Sequence, residues 1–377
     1  MTEQTTRSAR PAGPRDDLDL AGRMREMLFS HLVSRCLCAV AHLDVPDLLA
    51  DGALPVAELA TRTGAHPAAL RRVLRALVLF EVFTEPAPDV FALTPLGATL
   101  RRDAPASARP SALLVGGVVG TAWNELPRSV RTGQPAFEEA FGAGFFDYLE
   151  RRPEVRAVFA RSQAEGLALE LDEILAHVDL PEHGLLVDVG GGDGAFLTAV
   201  LATRPGVTGI VLDLPETAAL AARRIAERGL AGRCAARAGD FFRAVPPGGD
   251  LYLLSHVLHD WSDADAVALL RVCAKAMPAH ATLLVIDLVA AESTAAGTAD
   301  AGYRYAALLD LYMLSLFGGD GGRERTAGEI TDLLRAAGLV DVRVRRLPSG
   351  VGVVTARRAD THDAEADCPL QTDGGQP

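Results

Sequence analysis

The segment Leu185-Leu186-Val187-Asp188-Val189-Gly190-Gly191-Gly192-Asp193-Gly194 constrains this chain more than any other. A short apolar run enters four glycines within five positions, and a helical pattern follows. That order reads as a buried strand, a tight turn and a helix N-terminus. Glycine serves where backbone must turn sharply or lie against a ligand, because any Cβ would collide. The helix start behind the turn offers free backbone N–H groups. A chain built around this element is expected to form an α/β, doubly wound sheet there and to cradle part of a nucleotide-like cofactor.

The spacing is G-G-G-x-G, not the G-x-G-x-x-G of the dinucleotide fingerprint, and a ligand-free glycine turn is the bland alternative. Two further segments favour a cofactor. Gly209-Ile210-Val211-Leu212-Asp213 reads as a second buried strand ending in a carboxylate, 23 positions after Gly190. An acid at the end of strand two is where a ribose diol is met, and a carboxylate can accept from two hydroxyls at once. Gly239-Asp240-Phe241-Phe242 follows a third candidate strand, with an acid for an adenine amino group and aromatics to stack on the ring. Together these features resemble an S-adenosylmethionine (SAM) site more than an NAD site. A diphosphate wants a deep helix N-terminus and a cation, whereas SAM carries a positive sulfonium and suits a loop flanked by Asp188 and Asp193.

The densest motif is Leu254-Ser255-His256-Val257-Leu258-His259-Asp260-Trp261-Ser262-Asp263. With it, the chain resembles the class I small-molecule O-methyltransferases of the plant caffeate type and their bacterial natural-product relatives. The resemblance runs from about Leu28 to about Val354. It rests on V-D-V-G-G-G-x-G, L-D-L-P, G-D-F-F, L-H-D-W-S-D and G-G-R-E-R-T at Gly321 to Thr326. It implies His259 as general base, with Asp287 and Glu324 orienting its ring. Asp287 is read at the end of a fifth strand, after Leu283-Leu284-Val285-Ile286. SAM, leaving as S-adenosyl-L-homocysteine, would be held by Asp188, Gly190, Gly192, Asp213, Leu214, Asp240, Phe241 and Ser255. The acceptor would meet His256, Met313, Phe159 and Gln163. Departures are visible: many plant relatives carry Lys where Ser255 stands, and Glu where Asp287 stands. Gln163 occupies a place where relatives often have Met, which points to a more polar acceptor. Ordinary core packing is the competing account of Met313 and Phe159.

The chemistry of His259 can also be argued from the residue itself. A phenol has a pKa of ~10, so only about one in a thousand is ionised at neutral pH. A histidine with an ordinary pKa of ~6.5 can take that proton, and a positioned base contributes ~10²–10⁴-fold. His256 stands three before His259, which on a helix would put the two on neighbouring faces. Asp260 and Trp261 are read as holding the turn that aims His259. No metal site is expected: His256-x-x-His259 is not H-E-x-x-H, and the acids stand at separate strand ends.

The remaining composition is that of a globular enzyme. Hydrophobic residues make up 49% and charged residues 23% of 377 positions. The five cysteines, Cys36, Cys38, Cys234, Cys273 and Cys368, have no C-x-x-C spacing. They read as reduced thiols, hence a cytoplasmic setting. No apolar run reaches membrane-spanning length, and the N-terminus lacks a signal-peptide core.

Domain organisation is expected as follows: 1–18 a disordered tail, 19–110 a mostly helical winged-helix dimerisation domain, 111–180 linking helices, 181–357 the SAM-binding catalytic domain, and 358–377 a second disordered tail. The linking stretch concentrates aromatics, Phe159 among them, in a chain that is only 5% aromatic. Some of these could stack on a flat acceptor. The winged helix is read from apolar residues 28–49, helices near 55–60 and 66–79, and a hairpin at 82–84 and 90–94. Winged helices also bind DNA, and Arg71, Arg72 and Arg75 sit on the second helix. A net charge of −12 and so short a basic cluster argue against nucleic acid and for a homodimer. The expected activity is methyl transfer to a hydroxyl of a small aromatic natural product in secondary metabolism. N-methylation, or a SAM-keeping hydroxylation or decarboxylation of a polyketide, are the alternatives within the resemblance.

Overall fold

The computed structural model describes residues 14–293 and 300–359. The chain forms two units that meet in sequence at Gly120 and Thr121.

In the first unit, the apolar stretch at 28–49 does not make one helix. It breaks into Pro14–Phe29, His31–His42 and Val45–Leu48, the last break falling at Asp44 in a left-handed conformation (φ 55°). The first helix is described from Pro14 onward, inside the segment expected to be a disordered tail. Residues 1–13 and 360–377, with Cys368, lie outside the described residues. Strand β1 (Leu54–Pro55) leads into a helix, Val56–Thr63, that stops at left-handed Gly64. The next helix, Pro67–Val78, buries Leu70, Leu74 and Leu77 along one stripe. Strands β2 (Phe83–Ala87) and β3 (Val90–Leu93) pair antiparallel, and β1 joins β3. The winged-helix pattern is therefore present. Residues 111–120 belong with this unit rather than with the linking helices: Arg35 donates to the carbonyls of Gly116 and Gly120 at 2.6 and 2.5 Å. Two of the three arginines weighed for DNA are occupied by the wing's own acids, Arg71 with Asp89 and Arg75 with Glu85.

The second unit holds the expected doubly wound sheet. Its strands are β4 (His183–Val189), β5 (Gly206–Asp213), β6 (Cys234–Ala238), β7 (Leu251–Ser255), β8 (Thr282–Ala290), β9 (Arg325–Thr326), β10 (Leu339–Arg346) and β11 (Val351–Arg358). The order is β10-β11-β8-β7-β4-β5-β6, with β9 on β8. Strands β4 to β8 run parallel, while β11 is antiparallel to both β8 and β10. Strands β7 and β8 are apolar on both faces because helices cover both sides. One core layer packs Tyr252, Leu254 and Val285 against Leu269, Leu270 and Leu334. The other packs Leu186, Val211 and Ile286 against Leu197, Leu201 and Ile174. The chain runs outward from β4 through β5 to β6, then crosses back to β7 on the other side of β4. Such a reversal of strand order is where open α/β sheets bind ligands, in the crevice expected outside the carboxyl ends of β4 and β7.

Candidate active site

Two loops leave the sheet at that crevice. The first is the glycine loop after β4. Gly190, Gly192 and Gly194 all have left-handed backbone (φ 71°, 59° and 76°), which side chains with a Cβ resist. A Cβ on Gly191 would collide with the carboxyl of Asp188. Asp213, at the end of β5, accepts from Gly192 N–H at 2.9 Å and Leu214 N–H at 2.7 Å, so it shapes the loop. Asp193 pairs with Arg224 and accepts from Ala195 N–H at the start of the following helix. Asp188 is 1% exposed, and neither carboxylate oxygen has a hydrogen-bond partner. Burial, then the charges of Asp213 and Asp193, push its carboxyl up to about 7. An anionic phosphate would worsen that crowding of acids, whereas a cationic ligand relieves it. Phe241 packs by Gly190, Asp240 accepts from Phe242 N–H, Leu214 is exposed, and Ser255 Oγ is buried without a partner. These residues stand at the ends of β4, β5, β6 and β7, and their donor and acceptor set fits SAM: acids for hydroxyls and amines, a glycine backbone, an aromatic ring and no phosphate-binding cation.

The second loop follows β7 and carries His259 on a 3₁₀ turn, Leu258–Asp260. His259 is buried, and its Nδ1–H donates to Glu324 Oε1 at 2.9 Å. That bond leaves Nε2 as the acceptor nitrogen. Asp287 Oδ1 lies 3.9 Å from Nδ1, and Asp260 Oδ1 lies 3.7 Å from Nε2. Burial alone would depress the imidazole. The negative charges of Glu324, Asp287 and Asp260 outweigh it and push His259 up to about 10. Burial raises Asp260 and Asp287 to about 6, against the pull of His259. Its acidic neighbours thus make His259 a stronger base than a free imidazole, which favours taking a phenolic proton. Both expected orienting acids are thus beside the ring, with Glu324 in direct contact. Asp287 does not end its strand as expected: β8 continues through Leu288, Val289 and Ala290, because β11 pairs with it as far as Leu288 and β9 pairs with Val289 and Ala290.

The G-G-R-E-R-T motif does more than supply Glu324. Arg325 is 3% exposed, and its guanidinium donates to Leu258 O at 2.8 Å and Trp261 O at 2.7 Å, on either side of the histidine. It also meets Asp263 at 2.9 Å. Arg323 ties Asp263 to Glu329, which forms a capping box with Thr326. Gly322 lies so close that an added Cβ would strike the carbonyls of His259 and Asp260. Sequence reasoning missed Arg325 because its partners are backbone carbonyls more than 60 positions away. The expectation that Asp260 and Trp261 hold the turn is met only through their backbone and Asp260's charge; Arg325 is the clamp.

His256 is not on a helix. It sits in a left-handed bend (φ 53°), with its N–H on Ile286 O, and its Nε2 is 3.0 Å from Glu170 Oε2. One atom each of His256, His259 and Asp287 lie within 4.8 Å of one another, a three-ligand grouping that the sequence reading did not anticipate. Met313 is buried on the Ala301–Phe317 helix. Phe159 packs edge-on against Phe145 at 5.2 Å. Gln163 is exposed on the Pro153–His177 helix, and its described contacts do not bring it to His259.

The chain matches known proteins along most of its length. Residues 123–340 match the O-methyltransferase domain, and residues 25–103 match the O-methyltransferase dimerisation domain. The chain belongs to the O-methyltransferase family. It is a SAM-dependent methyltransferase, and the family does not need a metal. O-methyltransferase SfmM3 of Streptomyces lavendulae is 51% identical over 89% of this chain and all of its own length. The crystal structure of LaPhzM superposes with a TM-score of 0.84 at 38% identity, over 90% of this chain and 99% of its own. NcsB1 from neocarzinostatin biosynthesis, solved with SAM and 2-hydroxy-5-methyl naphthoic acid, gives 0.74 at 36% identity over 86% and 96%. Among the described residues, no helix of this family member is long and apolar enough to cross a membrane.

Proposed function

We propose that this chain methylates a phenolic hydroxyl of a small aromatic natural product, with His259 as the general base. The observation that carries the reading is the His259–Glu324 hydrogen bond, which directs the basic Nε2 away from its brace in the crevice shared with the glycine loop. Bound SAM supplies an electrophilic methyl on a sulfonium, which leaves as a neutral thioether. Asp188, Gly190, Gly192, Asp213, Leu214, Asp240, Phe241 and Ser255 are assigned to its grip. His259 takes the hydroxyl proton, Glu324 and Asp287 stabilise the imidazolium that results, and the oxygen attacks in line. Met313, Phe159 and Gln163 are assigned to the acceptor side, and the naphthoic acid bound by NcsB1 supports a flat aromatic acceptor.

The working form is a homodimer. The dimerisation domain supports it, as do Leu18, Met24, Met27, Leu28 and Phe29, exposed along one terminal helix. Exposed apolar runs of this kind mark interaction surfaces. A cytoplasmic setting is supported by four free cysteines among the described residues.

The test is transfer from labelled SAM to hydroxylated naphthoates and phenols, with chelator present, for wild type and His259→Ala. Product from wild type, a loss of ~10²–10⁴-fold in the variant and unchanged SAM binding are expected. Loss of SAM binding together with turnover would mean that the base is misassigned. Exclusive transfer to amines would turn the reading toward N-methylation, which some family members perform.

A further inference from the structure

The crevice holds a second histidine–glutamate pair that the transfer step has not used. His256 follows β7 in the left-handed region, which histidine adopts more readily than most side chains. The fold pins it there, through its N–H on Ile286 O at 2.7 Å and its Nε2 against Glu170 Oε2 at 3.0 Å. Glu170 comes from the Pro153–His177 helix and is itself largely buried, with 17% of its side chain exposed. The two imidazole rings are 5.7 Å apart between centroids. One nitrogen of each lies within 4.8 Å of the other. With the rings this close, one acceptor oxygen can reach a nitrogen on each at hydrogen-bond length, ~2.7–3.0 Å.

We propose that His256, braced by Glu170, is a second catalytic residue: as an imidazolium it donates to the acceptor oxygen from which His259 removes the proton. The proposal rests on the reading of His259 as base. A carboxylate can only accept, so the Nε2–H of His256 donates to Glu170. The remaining nitrogen then carries a proton only in the cationic ring. Burial opposes that charge, and the hydrogen bond and charge of Glu170 prevail and raise the imidazole. Asp287 adds to the raising, and a charged His259 opposes it. During the step the hydroxyl proton moves to His259, and the phenolate oxygen lies between two positive rings. As the C–O bond forms and the C–S bond breaks, the oxygen becomes a neutral ether, and the attraction that held it disappears. Stabilisation therefore peaks where negative charge peaks, which is the condition for catalysis rather than tight product binding.

The consequence is a dependence on acceptor acidity. His256→Asn keeps a residue that tolerates left-handed backbone, and Glu170→Gln keeps shape while removing the brace's charge. The probes are naphthols, unsubstituted and acidified by fluorine or nitro groups. His256→Asn should lose on the order of 10²-fold in kcat on the unsubstituted naphthol and almost nothing on the most acidic one. Glu170→Gln should show the same trend with a smaller loss. SAM binding should be unchanged in both. A readout without turnover is the absorbance of bound naphthol, whose ionised fraction should be larger on wild type than on His256→Asn. An equal loss across the series, no loss, or identical ionised fractions would overturn the proposal. The base reading fails separately, by full turnover in His259→Ala, whatever the acidity series shows.

Discussion

The two ends of the crevice are built by different means. The cofactor end is nearly contiguous: residues 188–194 supply its turn, and its shape is set by backbone conformation and one nearby acid, Asp213. The base end is assembled. His259 sits on a three-residue turn held by Glu324, Arg325 and Gly322, which arrive more than 60 positions later. Local construction makes a site readable, whereas assembled construction makes it stiff only once the whole sheet has formed.

Two single-methyl changes would separate the ends most sharply. Gly191→Ala forces a Cβ into the buried Asp188 carboxyl, and overpacking of this kind costs about 1–3 kcal/mol. SAM affinity should fall at least about tenfold by calorimetric titration. Gly322→Ala presses on the histidine turn instead, so SAM affinity should hold while turnover collapses. If either variant loses both functions equally, the two ends are one mechanical unit.

Arg325→Ala should come next. It strands the carbonyls of Leu258 and Trp261, at ~1–3 kcal/mol for each buried unpaired group. A lower Tm is expected, with kcat reduced on the order of 10²-fold by a displaced base. Arg325→Lys cannot span both carbonyls and Asp263 as a fork, so it should recover only part. Asp213→Ala removes a charged acceptor that also holds Gly192 and Leu214. SAM affinity should fall by roughly ten- to a hundredfold, and unchanged affinity would remove the ribose role.

The smallest effect is a shift in pH dependence. As the proposed base His259 would work unprotonated, and its neighbours raise it to about 10. Activity under kcat/KM conditions should therefore climb with pH through the neutral and alkaline range. Glu324→Gln deletes the strongest raising charge, so the ring loses its proton at lower pH and the climb should move to lower pH. A climb left in place would assign it to the acceptor's own ionisation.

Legibility follows the same division. The glycine loop, Asp213 and the wing could be read because periodicity and turn chemistry act over a few residues. His259, Glu324 and Asp287 were reached through motif resemblance, and the structure supplies the reason for their grouping in the side-by-side pairing of β7, β8 and β9. Arg325 and the Glu170–His256 pair escaped, since neither spacing nor composition signals a contact between a helix and a bend 86 positions apart. The helix described from Pro14 and the break at Asp44 were missed for a different reason. Apolar spacing says which face is buried and little about where a helix stops.

The fit of Gly322 against the histidine turn sets a limit on how this molecule can change. Its missing Cβ lets two chain segments touch backbone to backbone, and Arg325 closes the same joint. Drift at that joint is blocked by volume before chemistry is consulted. If the acceptor is seated by the Pro153–His177 and Ala301–Phe317 helices, as we propose, change falls to positions such as Leu169, Tyr305 and Leu308, which are exposed and can be exchanged at little cost in packing. The reaction is inherited through a joint too tight to edit, and diversity in what is methylated has to be written on the surfaces around it.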